Sequence, residues 1–315
     1  MNKEELFISI IIPCFHEEEV INETYQQLKS VLEKENYGKY ELIFINDGST
    51  DTTLDILKKI SKTDHTVKLL SFSRNFGHQT AVSAGIQHSS GNVAVITDAD
   101  LQDPPELIPK MVNMYLAEKS NVIYAVRKKR HGESFFKLIT AKLFYRIINK
   151  FSEIKLPLDT GDFRLIDKIV IQEFKKFREK NKYIRGLITW IGFKQTPLYY
   201  ERNPRAAGQT KYPLSKMLKL ATTGLMYFSK KPLKIAIYFG FTCSFISILW
   251  GLYILFLKLL NPANIVLGWA STIIVIIFFG GIQLLTIGII GEYIGNVFDE
   301  VKNRPEYIIS EKINF

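Results

Sequence analysis

Two stretches near one end of the chain restrict its fold more than anything else in it. Residues 235–257, IAIYFGFTCSFISILWGLYILFL, and residues 265–290, IVLGWASTIIVIIFFGGIQLLTIGII, hold no charged side chain. Each exceeds the run of about 20 apolar residues that a helix needs to cross a bilayer core about 30 Å thick. In lipid every backbone N–H and C=O must be satisfied within the segment, which leaves the helix as the form of such a span. With the short link KLLNPAN between them, the two read as a transmembrane hairpin. Lys230, Lys231 and Lys234 precede it and Lys302 and Arg304 follow it, whereas the link carries only Lys258. That excess on the outer flanks places both flanks, and with them residues 1–230, in the cytoplasm.

The rest of the composition agrees with such a protein. The opening MNKEELF is acidic and the apolar run after it is short, ending at Pro13, so no signal peptide is expected. Cys14 and Cys243 lie too far apart to suggest a disulfide framework, which fits a reducing compartment. A net charge of +10 can indicate a nucleic-acid partner. Beside membrane spans it points instead to an anionic lipid surface.

Before the hairpin, short β-branched runs alternate with helical patterns. FISIIIP, YELIFIND, VKLLSFS, NVAVITD and NVIYAVR read as strands. EEEVINETYQQLKSVLEKE, TDTTLDILKKISK, GHQTAVSAGIQHS and PPELIPKMVNMYLAE read as the helices between them. This alternation predicts an α/β domain with a parallel, doubly wound sheet. The strands are nearly continuous apolar runs, as burial on both faces demands. In such sheets ligands bind beyond the C-terminal strand ends. Those ends carry Pro13-Cys14-Phe15-His16-Glu17, Asn46-Asp47-Gly48-Ser49, Ser73-Arg74-Asn75-Phe76-Gly77 and Asp98-Ala99-Asp100. No G-x-G-x-x-G follows the first strand and no Walker A sequence is present, which argues against a dinucleotide or P-loop site.

Three carboxylates close the fourth run, VITDADLQDPPE. DPPE reads as a helix start, with Asp103 as N-cap, Pro104 in the first turn and Glu106 at the third position. For Asp47 two readings stand, turn chemistry and ligand binding. Asp98 and Asp100 sit one residue apart before the expected cap, and carboxylates that close repel unless a cation lies between them. A hard divalent ion with oxygen ligands, Mg²⁺ or Mn²⁺, suits them, with the Gln102 amide oxygen as a further donor.

Taken together, PCFHEEE, FINDGSTD, SRNFGHQTA, DADLQDPPE, TGDFRL and GEYIG…DEVKNRPEYII resemble the family 2 glycosyltransferases of GT-A fold. More narrowly they resemble the bacterial polyprenyl-phosphate glycosyltransferases, the bactoprenol glucosyltransferase and dolichyl-phosphate mannose synthase-like group. The resemblance covers nearly the whole chain. His16 departs from it, since relatives often carry Asn there. The resemblance implies a GT-A (Rossmann-like), mostly parallel sheet domain with amphipathic interface helices and a two-helix transmembrane hairpin. It implies that Pro13, Phe15 and Glu17 border the base and ribose of a nucleotide-sugar donor. Asp47 would contact uracil or ribose, and Asp98 would lie near ribose and metal. Asp100 would be the main metal ligand, assisted by Gln102. The ion would bridge the two donor phosphates.

On the acceptor side the match favours Asp162, within LDTGDFRLID, as the acid facing the donor sugar. A phosphate acceptor is already ionised at neutral pH, so Asp162 is expected to orient the reactants and stabilise positive charge rather than abstract a proton. Arg164 can hold the acceptor phosphate through its planar fork. Arg202, Arg205 and Lys211 in YYERNPRAAGQTKYPLSK form an expected clamp on the donor phosphates, with Gly208 as a hinge. Arg127 and Arg130, in the run RKKR, are expected to meet the lipid phosphate or headgroups. GESFFKLITAKLFYRIINKFSE spaces apolar residues three and four apart with basic residues between them, the pattern of a helix lying in the membrane interface.

The expected organisation is therefore a donor half over residues 1–130, an acceptor-side part with interfacial helices over 131–232, the hairpin over 233–295 and a cytoplasmic tail over 296–315. The expected reaction moves a hexose, glucose from UDP-glucose first, onto undecaprenyl phosphate with inversion, at the cytoplasmic membrane of a bacterium. UDP-galactose, UDP-N-acetylglucosamine, GDP-mannose and UDP-aminoarabinose are the alternative donors. A processive polysaccharide synthase is disfavoured because Q-x-x-R-W is missing around Arg185 and Trp190. A non-catalytic lipid-binding scaffold would not need Asp98 and Asp100. The spacing Gly291-x-x-x-Gly295 suits hairpin packing and homo-oligomer contacts equally.

Overall fold

The strand FISIIIPC, β1 (Phe7–Cys14), is buried at every position after the first, as a strand covered on both faces must be. It lies inside an eight-stranded sheet in a computed structural model that describes residues 3–35, 37–127, 160–180, 182–201, 231–260 and 268–315. The expected helical interface segment, Asp159, Arg130, Arg202, Arg205, Gly208 and Lys211 lie outside the described residues.

The alternation expected up to Arg127 is present. Strands β2 (Lys39–Asn46), β3 (Val67–Phe72), β4 (Val93–Ile96) and β5 (Val122–Arg127) alternate with α1 (Ile21–Lys34), α2 (Thr53–Thr63), α3 (His78–His88) and α4 (Leu107–Glu118). Strand order is β7-β5-β6-β4-β1-β2-β3-β8. β1 pairs in parallel with both β2 and β4, so the winding reverses direction between β1 and β4. That reversal opens a crevice at the C-terminal strand ends. Pro13 widens it. Thr97 N–H donates to the Ile11 carbonyl, so β1 residues of that phase face β4; Pro13 has no N–H to give on that side, and the β1–β4 ladder ends at the Ile11–Ile96 pair.

On one face Ile8, Ile10 and Ile12 pack with Phe44, with Leu28 and Leu32 of α1, and with Ile108 and Met111 of α4. Complete burial of one such side chain contributes about 1.5–3 kcal/mol. On the other face α3 lies against the sheet so closely that a Cβ on Gly85 would stand 2.2 Å from Ile11 Cγ2.

Three features depart from the expected layout. TGDFRLID is itself a strand, β6 (Thr160–Asp167), running antiparallel between β4 and β5. Helices α5 (Lys168–Phe174) and α6 (Ile184–Ile191) follow it, and β7 (Gln195–Tyr200) returns parallel to β5. Residues from both sides of position 130 therefore build one sheet. Second, α4 starts at Leu107, with Glu106 as its N-cap residue and no side-chain cap. Asp103 is not the cap: its carboxylate accepts from the Tyr200 hydroxyl, 97 residues away, while Pro104 and Pro105 carbonyls take the first helical N–H groups. Third, the last residues add a strand to the sheet. Ile309–Ile313 form β8, antiparallel to β3, and Lys58 pairs with Glu311 at 2.7 Å.

The chain divides into two compact units, and Arg304–Phe315 belongs to the one that holds the sheet. The other holds the helices α7 (Lys231–Leu260) and α8 (Trp269–Val301). Their windows Ala236–Tyr253 and Val275–Val301, with mean hydropathy 1.5 and 2.0, are long and apolar enough to cross a membrane.

The β2–α2 turn is held against the β3–α3 loop by a glycine. Gly48 has φ 66°, and a Cβ there would stand 2.3 Å from the Arg74 carbonyl carbon and 2.6 Å from the Asn75 nitrogen. Gly48→Ala is expected to destabilise the sheet unit by about 2–4 kcal/mol through strain and backbone clash. Thermal unfolding in detergent measures it; an unchanged midpoint would show that the loops do not meet as described.

Candidate active site

Four strand ends and the inserted β6 converge on the crevice. After β1, His16 adopts φ 54°, a left-handed conformation in which Asn and His are among the tolerated residues. Its backbone N–H donates to Ser49 Oγ at 3.0 Å, and its ring Nε2 meets Thr50 Oγ1 at 3.0 Å. Glu17 N–H donates to Thr53 Oγ1 at 2.9 Å. These bonds tie the loop holding Phe15 and Glu17 to the β2–α2 turn, and Phe15 stacks on His16 with ring centroids 4.0 Å apart.

Asp47 is 2% exposed. Its Oδ1 accepts from Phe76 N–H at 2.7 Å and its Oδ2 from Gly77 N–H at 2.9 Å. Burial raises its carboxyl pKa against these two bonds, which lower it. Asp47 thereby fixes the loop that begins α3, a contact across two strand ends and not within its own turn.

After β4, Asp98 and Asp100 are both half-buried. Gln102 is buried, and its backbone N–H donates to Asp100 Oδ1 at 3.1 Å. Leu101 between them has φ 56°, a costly conformation for a bulky residue and one found preferentially at functional loops. Burial pushes the Asp98 carboxyl up to about 6, and the neighbouring charges of Asp103, Asp100 and Asp162 add to this while His78 opposes it. Carboxylates in such number fit a hard cation by charge and donor type. Among the described residues no three His, Cys, Asp or Glu side chains are arranged to enclose one. Asp98 and Asp100, with Gln102, are the oxygen donors of the crevice that could hold one.

β6 brings in Asp162. Ile96 pairs with Arg164, so two residues further the register sets Asp98 level with Asp162. Asp162 is held from three directions. Arg185, in the first turn of α6, donates from Nε to Oδ1 at 2.7 Å and from a terminal nitrogen to Oδ2 at 3.1 Å. His78 Nε2 lies 3.2 Å from Oδ2 and 3.8 Å from Asp98 Oδ1. Gln79 donates to Oδ2 at 3.2 Å. Burial alone would raise the Asp162 carboxyl, but Arg185 and His78 hold it well below the usual range. Burial alone would lower the His78 imidazole, but its hydrogen bond to Asp162 and the charges of Asp98 and Asp162 hold it up at about 9. At neutral pH the group is thus a carboxylate between two cations. Such a group can orient a ligand and stabilise positive charge.

Arg164 is 3% exposed, one layer below Asp162, and donates to the Gly161 carbonyl at 3.0 Å. Its buried Nε has no hydrogen-bond partner among the described residues. Burial lowers its pKa to about 10. Arg127 ends β5 opposite Tyr200 of β7. Sequence reasoning assigned no role to His78, Gln79 or Arg185. His78 and Gln79 sat in the quoted SRNFGHQTA, and their place at the start of a helix beyond a strand end was the available signal. Arg185 carried no such signal, because only the fold brings α6 beside β6.

Residues 9–174 match the family model described as glycosyl transferase family 2, and residues 231–297 match that of the GtrB C-terminal hairpin. The chain belongs to glycosyltransferase family 2. Glycosyltransferase YkcC of Bacillus subtilis (strain 168) is 51% identical over 305 residues, covering 96% of this chain and 93% of that protein. The SfII prophage-derived bactoprenol glucosyl transferase of Shigella flexneri is 38% identical over 304 residues, covering 96% and 97%. Among solved structures, glucosyl-3-phosphoglycerate synthase from Mycobacterium tuberculosis with Mn²⁺, uridine-diphosphate-glucose and phosphoglyceric acid aligns over 71% of this chain and 79% of its own, at 18% identity and TM-score 0.48. The family and the mostly parallel mixed sheet identify a GT-A-like α/β fold, and the resemblance read from the motifs is the family found.

Proposed function

We propose that this glycosyltransferase moves a hexose, glucose from UDP-glucose first among candidates, onto a polyprenyl phosphate of the undecaprenyl class. The observation that carries the reading is whole-chain similarity, apolar hairpin included, to proteins named bactoprenol glucosyl transferase. The site supports it. The loops after β1 and β2 would border the donor base and ribose, and Asp98 and Asp100, with Gln102 beside them, would hold Mg²⁺ or Mn²⁺. When bound, such an ion neutralises charge on the leaving nucleotide diphosphate.

Asp162 faces the sugar from the opposite side. An acceptor phosphate oxygen attacks the anomeric carbon, the bond to the nucleotide diphosphate breaks, and the configuration inverts. Positive charge developing on the sugar is stabilised by the carboxylate that Arg185 and His78 keep ionised. Arg164, Arg127 and Arg130 serve the acceptor phosphate or its headgroup, and Arg202, Arg205 and Lys211 serve the donor phosphates. The reaction face is cytoplasmic. That β8 follows the second apolar helix yet belongs to the same folded unit as β1 supports a hairpin with both flanks on one side of a membrane. The basic flanks assign that side to the cytoplasm.

A donor screen tests the reading. Purified full-length protein in detergent receives undecaprenyl phosphate and radiolabelled UDP-glucose, UDP-galactose, UDP-N-acetylglucosamine or GDP-mannose, with and without Mn²⁺ or Mg²⁺. Label in the lipid fraction from UDP-glucose, lost on chelation, is the expected result. Label from another donor would change the sugar and keep the reaction. A folded protein that labels no lipid from any donor would remove the reading.

A further inference from the structure

The chain segment that follows the second apolar helix is bolted to the two elements that hold Asp162. Lys182 is buried just before α6, with 2% of its side chain exposed, and its ammonium donates to Glu306 Oε2 at 2.6 Å. It also donates to Ser83 Oγ of α3 at 3.2 Å, and Ser83 Oγ lies 3.3 Å from the same Glu306 oxygen. Next to it Tyr307 donates from its hydroxyl to Gln87 Oε1 of α3 at 2.8 Å and stacks on Phe72 of β3 with centroids 4.9 Å apart. A buried ammonium requires a counter-charge. Here that charge comes from a residue 124 positions away, between α8 and β8.

Both elements so held run directly into the site. Three residues beyond Lys182, Arg185 makes the two-pronged contact with Asp162. One turn before Ser83, Gln79 donates to Asp162, and its Oε1 accepts from Ile184 N–H at 3.1 Å, joining α3 to α6. The segment Lys182–Arg185 is thus pinned at one point by Gln79 and at another by Glu306. We propose that Glu306 is a positioning residue for the transfer step: through Lys182 it fixes the first turn of α6, and so sets the place at which Arg185 holds the Asp162 carboxylate. The chain that emerges from the apolar hairpin thereby helps to shape the acceptor side of the site. This rests on the transferase reading above.

The test uses full-length protein with the donor that labels lipid in wild type. Glu306→Gln keeps the shape and removes the charge. It is expected to lower kcat about tenfold or more, because small displacements of reacting groups carry costs of that order. KM for the nucleotide-sugar should change by less than about twofold, since the donor loops lie on β1, β2 and β4 and are not displaced. Glu306→Asp, which restores the charge, should recover part of kcat. Lys182→Arg, which keeps charge but moves the donor atoms, should show the same kcat-selective loss and serves if Glu306→Gln does not fold. Glu311→Ala on the same segment breaks the exposed pair with Lys58 and should leave kcat unchanged. Wild-type kcat in Glu306→Gln, a matching rise in donor KM, or an equal loss in Glu311→Ala would each overturn the proposal. Inactive wild type would instead remove the transferase reading itself.

Discussion

Asp162→Asn is expected to lower the rate of sugar transfer by about a hundredfold to a thousandfold, the usual cost of deleting one preorganised electrostatic group. The substitution is nearly isosteric, so its effect is that of charge. In the native chain the carboxylate lies between Arg185 at 2.7 Å and His78 at 3.2 Å, with the buried Arg164 guanidinium beneath it. With asparagine there, the cations face one another without their shared counter-charge. Removing one partner of a buried pair costs about 3–5 kcal/mol. In a unit of this size about 1 kcal/mol moves the unfolding midpoint by about 2–4 °C. Asp162→Asn should therefore both unfold at lower temperature and, while still folded, turn over far more slowly. Arg185→Met should give the same double loss in smaller measure, because His78 and Gln79 still hold the carboxylate. Steady-state kinetics below the unfolding transition separates the two effects. Full turnover in Asp162→Asn would end its assigned role.

What the sequence made legible divides along the range of the interactions involved. The units from β1 to β5 could be read because their signal is local: period-two or continuous apolar runs, then amphipathic helices, with polar residues at the strand ends. Asp98 and Asp100 could be read for the same reason, since two adjacent carboxylates beyond a strand need no partner to be noticed. β6 could not. TGDFRLID places Asp162 and Arg164 on one face of the strand, which looks polar until the sheet sets that face against α6. The cap assigned to Asp103 failed because a tyrosine 97 residues away takes its carboxylate, a contact that no local rule contains. β8 was missed because five residues after a long helix give little periodicity, while its pairing with β3 is entirely non-local. Lys182 and Glu306 would each pass for a solvated charge until the fold buries them together.

Asp100→Ala is expected to abolish metal-dependent transfer, with a loss of about a thousandfold or more in kcat/KM. Asp98, Asp100, Asp103 and Asp162 lie near enough for the last three to raise the Asp98 carboxyl. A nucleotide diphosphate brings further negative charge to the same crevice, so without a cation the two repel. The environments of Asp98 and Asp100 then set their shares. Asp98 faces His78 at 3.8 Å, which already offsets part of its charge. The Asp100 loop is fixed by the Gln102 amide and held through the strained Leu101. Asp98 therefore links the paired carboxylates to the Asp162 group through His78. Asp98→Asn should accordingly lose transfer through that link as well as weakening Mn²⁺ binding. Calorimetric titration of Mn²⁺ and UDP into each full-length variant reads affinity without turnover. Equal Mn²⁺-dependent UDP binding in wild type and Asp100→Ala would remove Asp100 from the ion and leave the paired carboxylates without the role proposed for them.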